Sequence, residues 1–212
     1  MTKEYLNLKD HVREIEDHYK KGLERIKDYY DGRKENPLLK DPPHEILEKA
    51  ASQFIKEAIN LPPLQFIGDF EVIDKTGHWD SSLYEVCLGC GTEILMKAAI
   101  LMKSPERITG NLEVKYESLK NIFIEILPEK LNEKQKERIL DVLNLIQVKR
   151  NKWAHLSFHK FGAYFEDYQI FNVLEYIYET YFPNSDILVE IKEFKENNKV
   201  KSGLDFEPVK FG

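Results

Sequence analysis

Apolar residues recur at steps of three and four through most of the chain, a period that buries one side of a helix and cannot line one face of a strand. Leu8, Val12, Ile15, Tyr19, Leu23, Ile26 and Tyr30 form the first such stripe, which stops at Asp31-Gly32. A second helix is expected over 44–60, with Ile46, Leu47, Ala50, Phe54, Ile55 and Ala58 on its apolar side. Proline pairs at Pro42-Pro43 and Pro62-Pro63 bracket it. The period then changes. Leu64, Phe66, Phe70 and Val72 alternate with polar residues around Gly68-Asp69, which suggests one short hairpin or an extended segment. Residues 74–80 look like turn material, and a domain boundary is expected there.

Past that boundary Ser81-Ser82 is expected to cap a helix reaching about residue 103. Val86, Cys87, Ile94, Leu95, Ala98 and Leu101 make it apolar on more than one side, as a central core helix would be. Gly89 and Gly91 cost helical stability; close approach of another backbone would account for them, and so would an ordinary imperfection of the sequence. Glu93 and Lys97, four apart, suit a surface ion pair. A loop over 107–115, a helix over 116–127 and a long helix capped by Asn132 come next. Phe161-Gly162 interrupts, then an aromatic-rich helix over 164–181 and a shorter one over 186–196 precede an exposed tail, 197–212. The fold class is all-α.

Composition narrows the function. A chain of 212 residues with 42% apolar and 32% charged residues buries an ordinary globular core. Its net charge of -6 argues against coating nucleic acid through an overall field, though not against a locally basic cleft. No apolar run approaches membrane-spanning length, and no secretory core follows Met1, so a cytoplasmic protein without membrane contact is expected. The two cysteines, Cys87 and Cys90, lack the second pair that a zinc site needs and are read as small helix residues. His11, Glu14 and His18 follow helical spacing, but a solvated flank explains them; neither metal nor cofactor is expected.

The window that bears on chemistry is Val148-Lys149-Arg150-Asn151-Lys152-Trp153-Ala154-His155-Leu156-Ser157-Phe158-His159-Lys160. The nearest acids are Asp141 and Glu166, so in an acidic protein this stretch is locally basic. Basic groups interleaved with aromatics suit a phosphate backbone with bases beside it. The plainer account puts Lys149 and Lys152 on a solvated helix face, with Trp153 and Phe158 in the core.

The order Arg150-Asn151 followed by His155 resembles the Arg-polar-x-x-x-His signature of the HEPN superfamily, small helical domains many of whose members are metal-independent endoribonucleases. The resemblance covers about half the chain: the apolar helix with Gly91-Thr92-Glu93-Ile94-Leu95-Met96-Lys97, the motif, and the aromatic closing helix. It implies a HEPN-like antiparallel helical bundle over 81–183; the helical N-terminal extension over 1–80 and the C-terminal helix and tail over 184–212 are read from periodicity and lie outside the resemblance. It also implies a homodimer with two motifs on one cleft, a polar residue of the opening helix facing that cleft, and cleavage of single-stranded RNA to a 2',3'-cyclic phosphate and a 5'-hydroxyl. The setting it implies is toxin-antitoxin or antiviral defence, with an antitoxin or regulatory protein as a further partner. The alternative is a non-catalytic HEPN-like module that binds RNA or nucleotide, or dimerises as a scaffold.

Residue chemistry fits the catalytic version. With an ordinary pKa of ~6.5, His155 can move a proton at neutral pH while the ribose 2'-oxygen attacks. Arg150 stays charged and can fork two donors onto the phosphate. Asn151, four residues before His155, shares its helix face and can orient the imidazole. Lys149, Lys152, His159 and Lys160 are the expected RNA contacts. At about 100° per residue, Arg150 and His155 stand roughly 140° apart on a regular helix. Either the helix is distorted there, or a second copy supplies one of the two groups.

Overall fold

The computed structural model describes residues 8–31, 41–61, 77–109, 114–154 and 163–202. Through these the fold is all-α: α1 (Leu8–Tyr30), α2 (Pro43–Asn60), α3 (Gly77–Lys103), α4 (Tyr116–Glu125), α5 (Glu133–Ala154), α6 (Ala163–Tyr181) and α7 (Ile187–Ser202), with a 3-10 turn at Pro105–Arg107 after α3. The segment 64–73, where a hairpin is expected, lies outside the described residues, as does Phe161-Gly162.

The largest departures from the expected boundaries are at α3 and α7. Helix α3 begins at Gly77, so Ser81 and Ser82 fall inside it and do not cap it. The turn expected over 74–80 rested on Gly and Asp, residues that a first helical turn accepts as readily as a loop does. Helix α7 runs on to Ser202, six residues past the expected end at 196, because no glycine or proline interrupts Asn197 to Ser202.

Helix α3 is the hub. It touches α2, α4, α5, α6 and the 3-10 turn, and its most extensive neighbour is α2. Leu88, Leu95, Met96, Ala99 and Ile100 are fully enclosed in one core that also takes residues from α2, α4, α5, α6 and α7. The side of α2 that meets this core is Ala51, Ile55 and Ala58, whereas Ile46 and Phe54, expected on the apolar face, are 40% and 38% exposed. Gly91 explains the rotation. A Cβ there would lie 2.9 Å from Ile55 Cγ1, 3.1 Å from Phe54 Cβ and 3.2 Å from the Ala51 carbonyl. The two helices can close at this point because the alanine-bearing side of α2 faces a residue without a side chain.

Helix α5 is opened by Asn132, as expected. Its Oδ1 accepts from the Gln135 amide at 3.0 Å, and Gln135 Oε1 accepts from the Asn132 amide at 3.0 Å, a reciprocal capping box. Helix α6 is buried all round over residues 168–174. Tyr168 and Phe171 are covered within the chain. Phe171 lies against Phe194 of α7, ring centroids 4.4 Å apart. Helix α7 is also held by Lys192 to Glu179 at 2.8 Å, Lys195 to Glu175, and Lys56 of α2 to Glu190 at 2.5 Å. Helices α2 and α7 therefore share the core of the segment 81–183, which the HEPN resemblance treats as a domain of its own.

Candidate functional site

Along its side toward α5, helix α3 carries Glu85, Gly89, Glu93 and Lys97. A step of four residues turns a helix by about 400°, so these positions form one slowly winding row. The row meets the basic end of α5. A Cβ at Gly89 would lie 2.7 Å from both Cβ and Cδ of Arg150, so the arginine stem lies on the α3 backbone where there is no side chain. One turn further on, Glu93 Oε2 accepts from the Arg150 guanidinium at 2.5 Å. The other carboxylate oxygen of Glu93 accepts from Lys97 Nζ at 2.9 Å. Two cations from two helices thus converge on one carboxylate, with side-chain exposures of 29% for Arg150, 20% for Glu93 and 18% for Lys97.

Burial would raise the Glu93 carboxyl, but the hydrogen bond and charge of Lys97, with the charge of Arg150, outweigh it and hold the group below the ordinary carboxylate range. Tyr116 of α4 donates its hydroxyl to the Leu143 carbonyl at 3.3 Å. Burial, and then the negative charge of Glu93, push its phenol far up, so it is neutral and not a base. Lys120, one turn along α4, is also enclosed. It donates to Gln147 Oε1 at 2.9 Å and to Asn144, pairs with Glu117 at 2.8 Å, and sits 5.8 Å from the centre of the Tyr116 ring.

The expected site residues divide. Arg150 faces α3 and is half-buried, and Asn151 beside it is exposed. Lys149 is neither on a solvated face nor turned toward a ligand: at 3% exposure its ammonium is enclosed and pairs with Glu85 at 3.1 Å. Burying a lone ammonium is costly, and Glu85 on the α3 row is what makes its inward position tenable. Lys152 belongs to α5, but its side chain lies outside the described residues, as do His155, His159 and Lys160 altogether.

Glu85 and the role of Gly89 as a seat for Arg150 are not evident in the sequence, where the Glu93–Lys97 spacing by itself suits a surface pair. The four-residue spacing of two acids, a glycine and a lysine on an otherwise apolar helix was the available signal. The α5 partners were not readable from it, because spacing within one helix does not say which helix lies opposite.

Elsewhere the chemistry is quieter. Cys87 and Cys90 are free thiols, and burial pushes the Cys87 thiol up, away from the reactive thiolate. His18 Nδ1 lies 2.8 Å from the Glu14 carbonyl, its own helix's backbone. Among the described residues no group of three or more His, Cys, Asp or Glu side chains is placed to hold a metal ion, and no helix is long and apolar enough to cross a membrane.

Comparison of the chain with protein-family models, with curated proteins and with solved structures gives no match in any of the three.

Proposed function

We propose that the chain is a metal-independent endoribonuclease of the HEPN type that cleaves single-stranded RNA by 2'-hydroxyl attack. The observation that carries this is the seating of Arg150: its stem rests on Gly89, its guanidinium meets Glu93, and 29% of it still faces solvent, next to exposed Asn151 and five residues before His155. An arginine whose stem is already seated loses little freedom on binding a phosphate. His155 then moves the proton between the 2'-oxygen and the leaving 5'-oxygen, Arg150 offsets charge on the phosphoryl oxygens, and Asn151 orients the imidazole. Lys152, His159 and Lys160 supply backbone contacts. The enzyme acts as a homodimer in the cytoplasm, in toxin-antitoxin or antiviral defence.

One observation favours the non-catalytic alternative, an RNA- or nucleotide-binding module or dimerising scaffold. Arg150 already has a carboxylate partner, as a purely structural arginine would. The nature of the cut ends separates the two. The nuclease leaves 2',3'-cyclic phosphate and 5'-hydroxyl ends and spares an RNA whose 2'-oxygens are methylated. Cleavage of the methylated RNA would exclude 2'-oxygen attack, and binding without any cleavage would leave the module.

A further inference from the structure

The convergence of Arg150 and Lys97 on Glu93 has the form of a phosphate site with a carboxylate already in it. A carboxylate and a phosphodiester present similar oxygens to a guanidinium and an ammonium, and both bind them through charge-assisted hydrogen bonds. The two cations come from different helices, α5 and α3, and the stem of one is received by a glycine. The Arg150 stem rests on Gly89, so its placement does not depend on Glu93 alone. Lys149 takes no part, being enclosed against Glu85.

We propose that Lys97 and Arg150 together form the subsite for a phosphodiester group of RNA, and that Glu93 is its built-in competitor, occupying the cations until a substrate phosphate displaces the carboxylate. This rests on the ribonuclease reading for the identity of the anion, and adds to it a second cation on α3 and a means of restraint. Glu93 stays ionised under this pull, so it competes throughout the neutral range. A single phosphate must therefore outbid an intramolecular partner, whereas a strand that also engages the rest of the basic window has further contacts to draw on. Free phosphate binds weakly; an RNA strand binds well.

The test measures anion binding apart from cleavage, with inorganic phosphate as probe at constant ionic strength. Glu93→Gln keeps the shape and a hydrogen-bonding oxygen for Lys97 or Arg150 but removes the competing charge. Its apparent affinity for phosphate, read from thermal stabilisation, should rise about tenfold over the unaltered protein, the scale of one charge-assisted hydrogen bond. The gain should vanish in Glu93→Gln/Lys97→Gln and in Glu93→Gln/Arg150→Gln. No gain in folded Glu93→Gln, or a gain that survives loss of either cation, overturns the proposal. Should Glu93→Gln fail to fold, the unaltered protein serves: phosphate should shift the Arg150 side-chain N–H resonance, and Lys97→Gln should weaken that response. A resonance that ignores phosphate overturns the proposal equally. Protein that binds phosphate in this pattern but cuts no RNA keeps the subsite and loses the nuclease; protein that cuts RNA while Glu93→Gln gains nothing does the reverse.

Discussion

A methyl group on residue 89 would stand 2.7 Å from two carbons of the Arg150 stem, one of them Cβ, which cannot swing aside without moving α5. Gly89→Ala therefore sets a helix-propensity gain of about 1 kcal/mol against an overpacking cost of about 1–3 kcal/mol, and a net loss of about 1 kcal/mol is expected from urea unfolding. A variant as stable as the parent would mean that the stem is not seated as described. Glu93 gives a second prediction at this scale. Its folded pKa is depressed, so its contribution to stability is complete above the ordinary carboxylate value and is lost as pH falls through the lowered one. Unfolding followed across that acid range should show the loss in the parent and a shallower one in Glu93→Gln. Two identical slopes would deny Glu93 any part. The two glycines could be read from sequence as points of close approach. Which neighbour each receives could not be read, because that depends on which helices lie opposite.

Helix α5 shows how much of an element is legible in its own residues. Asn132 and Gln135 carry the capping box in a four-residue span, and of the apolar residues at helical spacing Ile139, Val142, Leu143 and Ile146 are enclosed while Leu145 is partly buried. Asn132→Ala should cost about 1 kcal/mol, and a double variant with Gln135→Ala should cost little beyond the first, since the two amides are satisfied as a pair. Additive losses would separate them. Less legible was the polar side of the same helix. Asn144, Gln147 and Lys149 look like surface residues in sequence, yet they meet Lys120 and Glu85 inside the α3–α4–α5 junction. Charge in a sequence is read as exposure, but Lys149 is enclosed against Glu85 of α3, and Lys120 against Glu117 of its own helix and two amides of α5. The rotation of α2 has the same origin. Phe54 is the larger residue, yet it is 38% exposed, whereas Ala51 and Ile55 are enclosed where α2 closes on Gly91.

At the scale of the molecule the all-α class was plain from periodicity, but not the division of the chain. The sequence change at 64–80 invites a boundary, whereas α2, α3 and α7 contribute to one core. A continuous core holds α3 and α5 in register, and that register brings Lys97 to Arg150. We propose that Arg150, so placed, acts with His155 in RNA cleavage. Cleavage of single-stranded RNA in excess EDTA, compared among the parent, Arg150→Ala and His155→Ala at equal folded concentration, tests it most directly. The account predicts cutting by the parent, a loss of at least about a hundredfold in each variant, the scale of general acid–base or electrostatic stabilisation, and partial recovery when the two variants are co-expressed and share dimers. Undiminished cutting by a folded His155→Ala protein would contradict it.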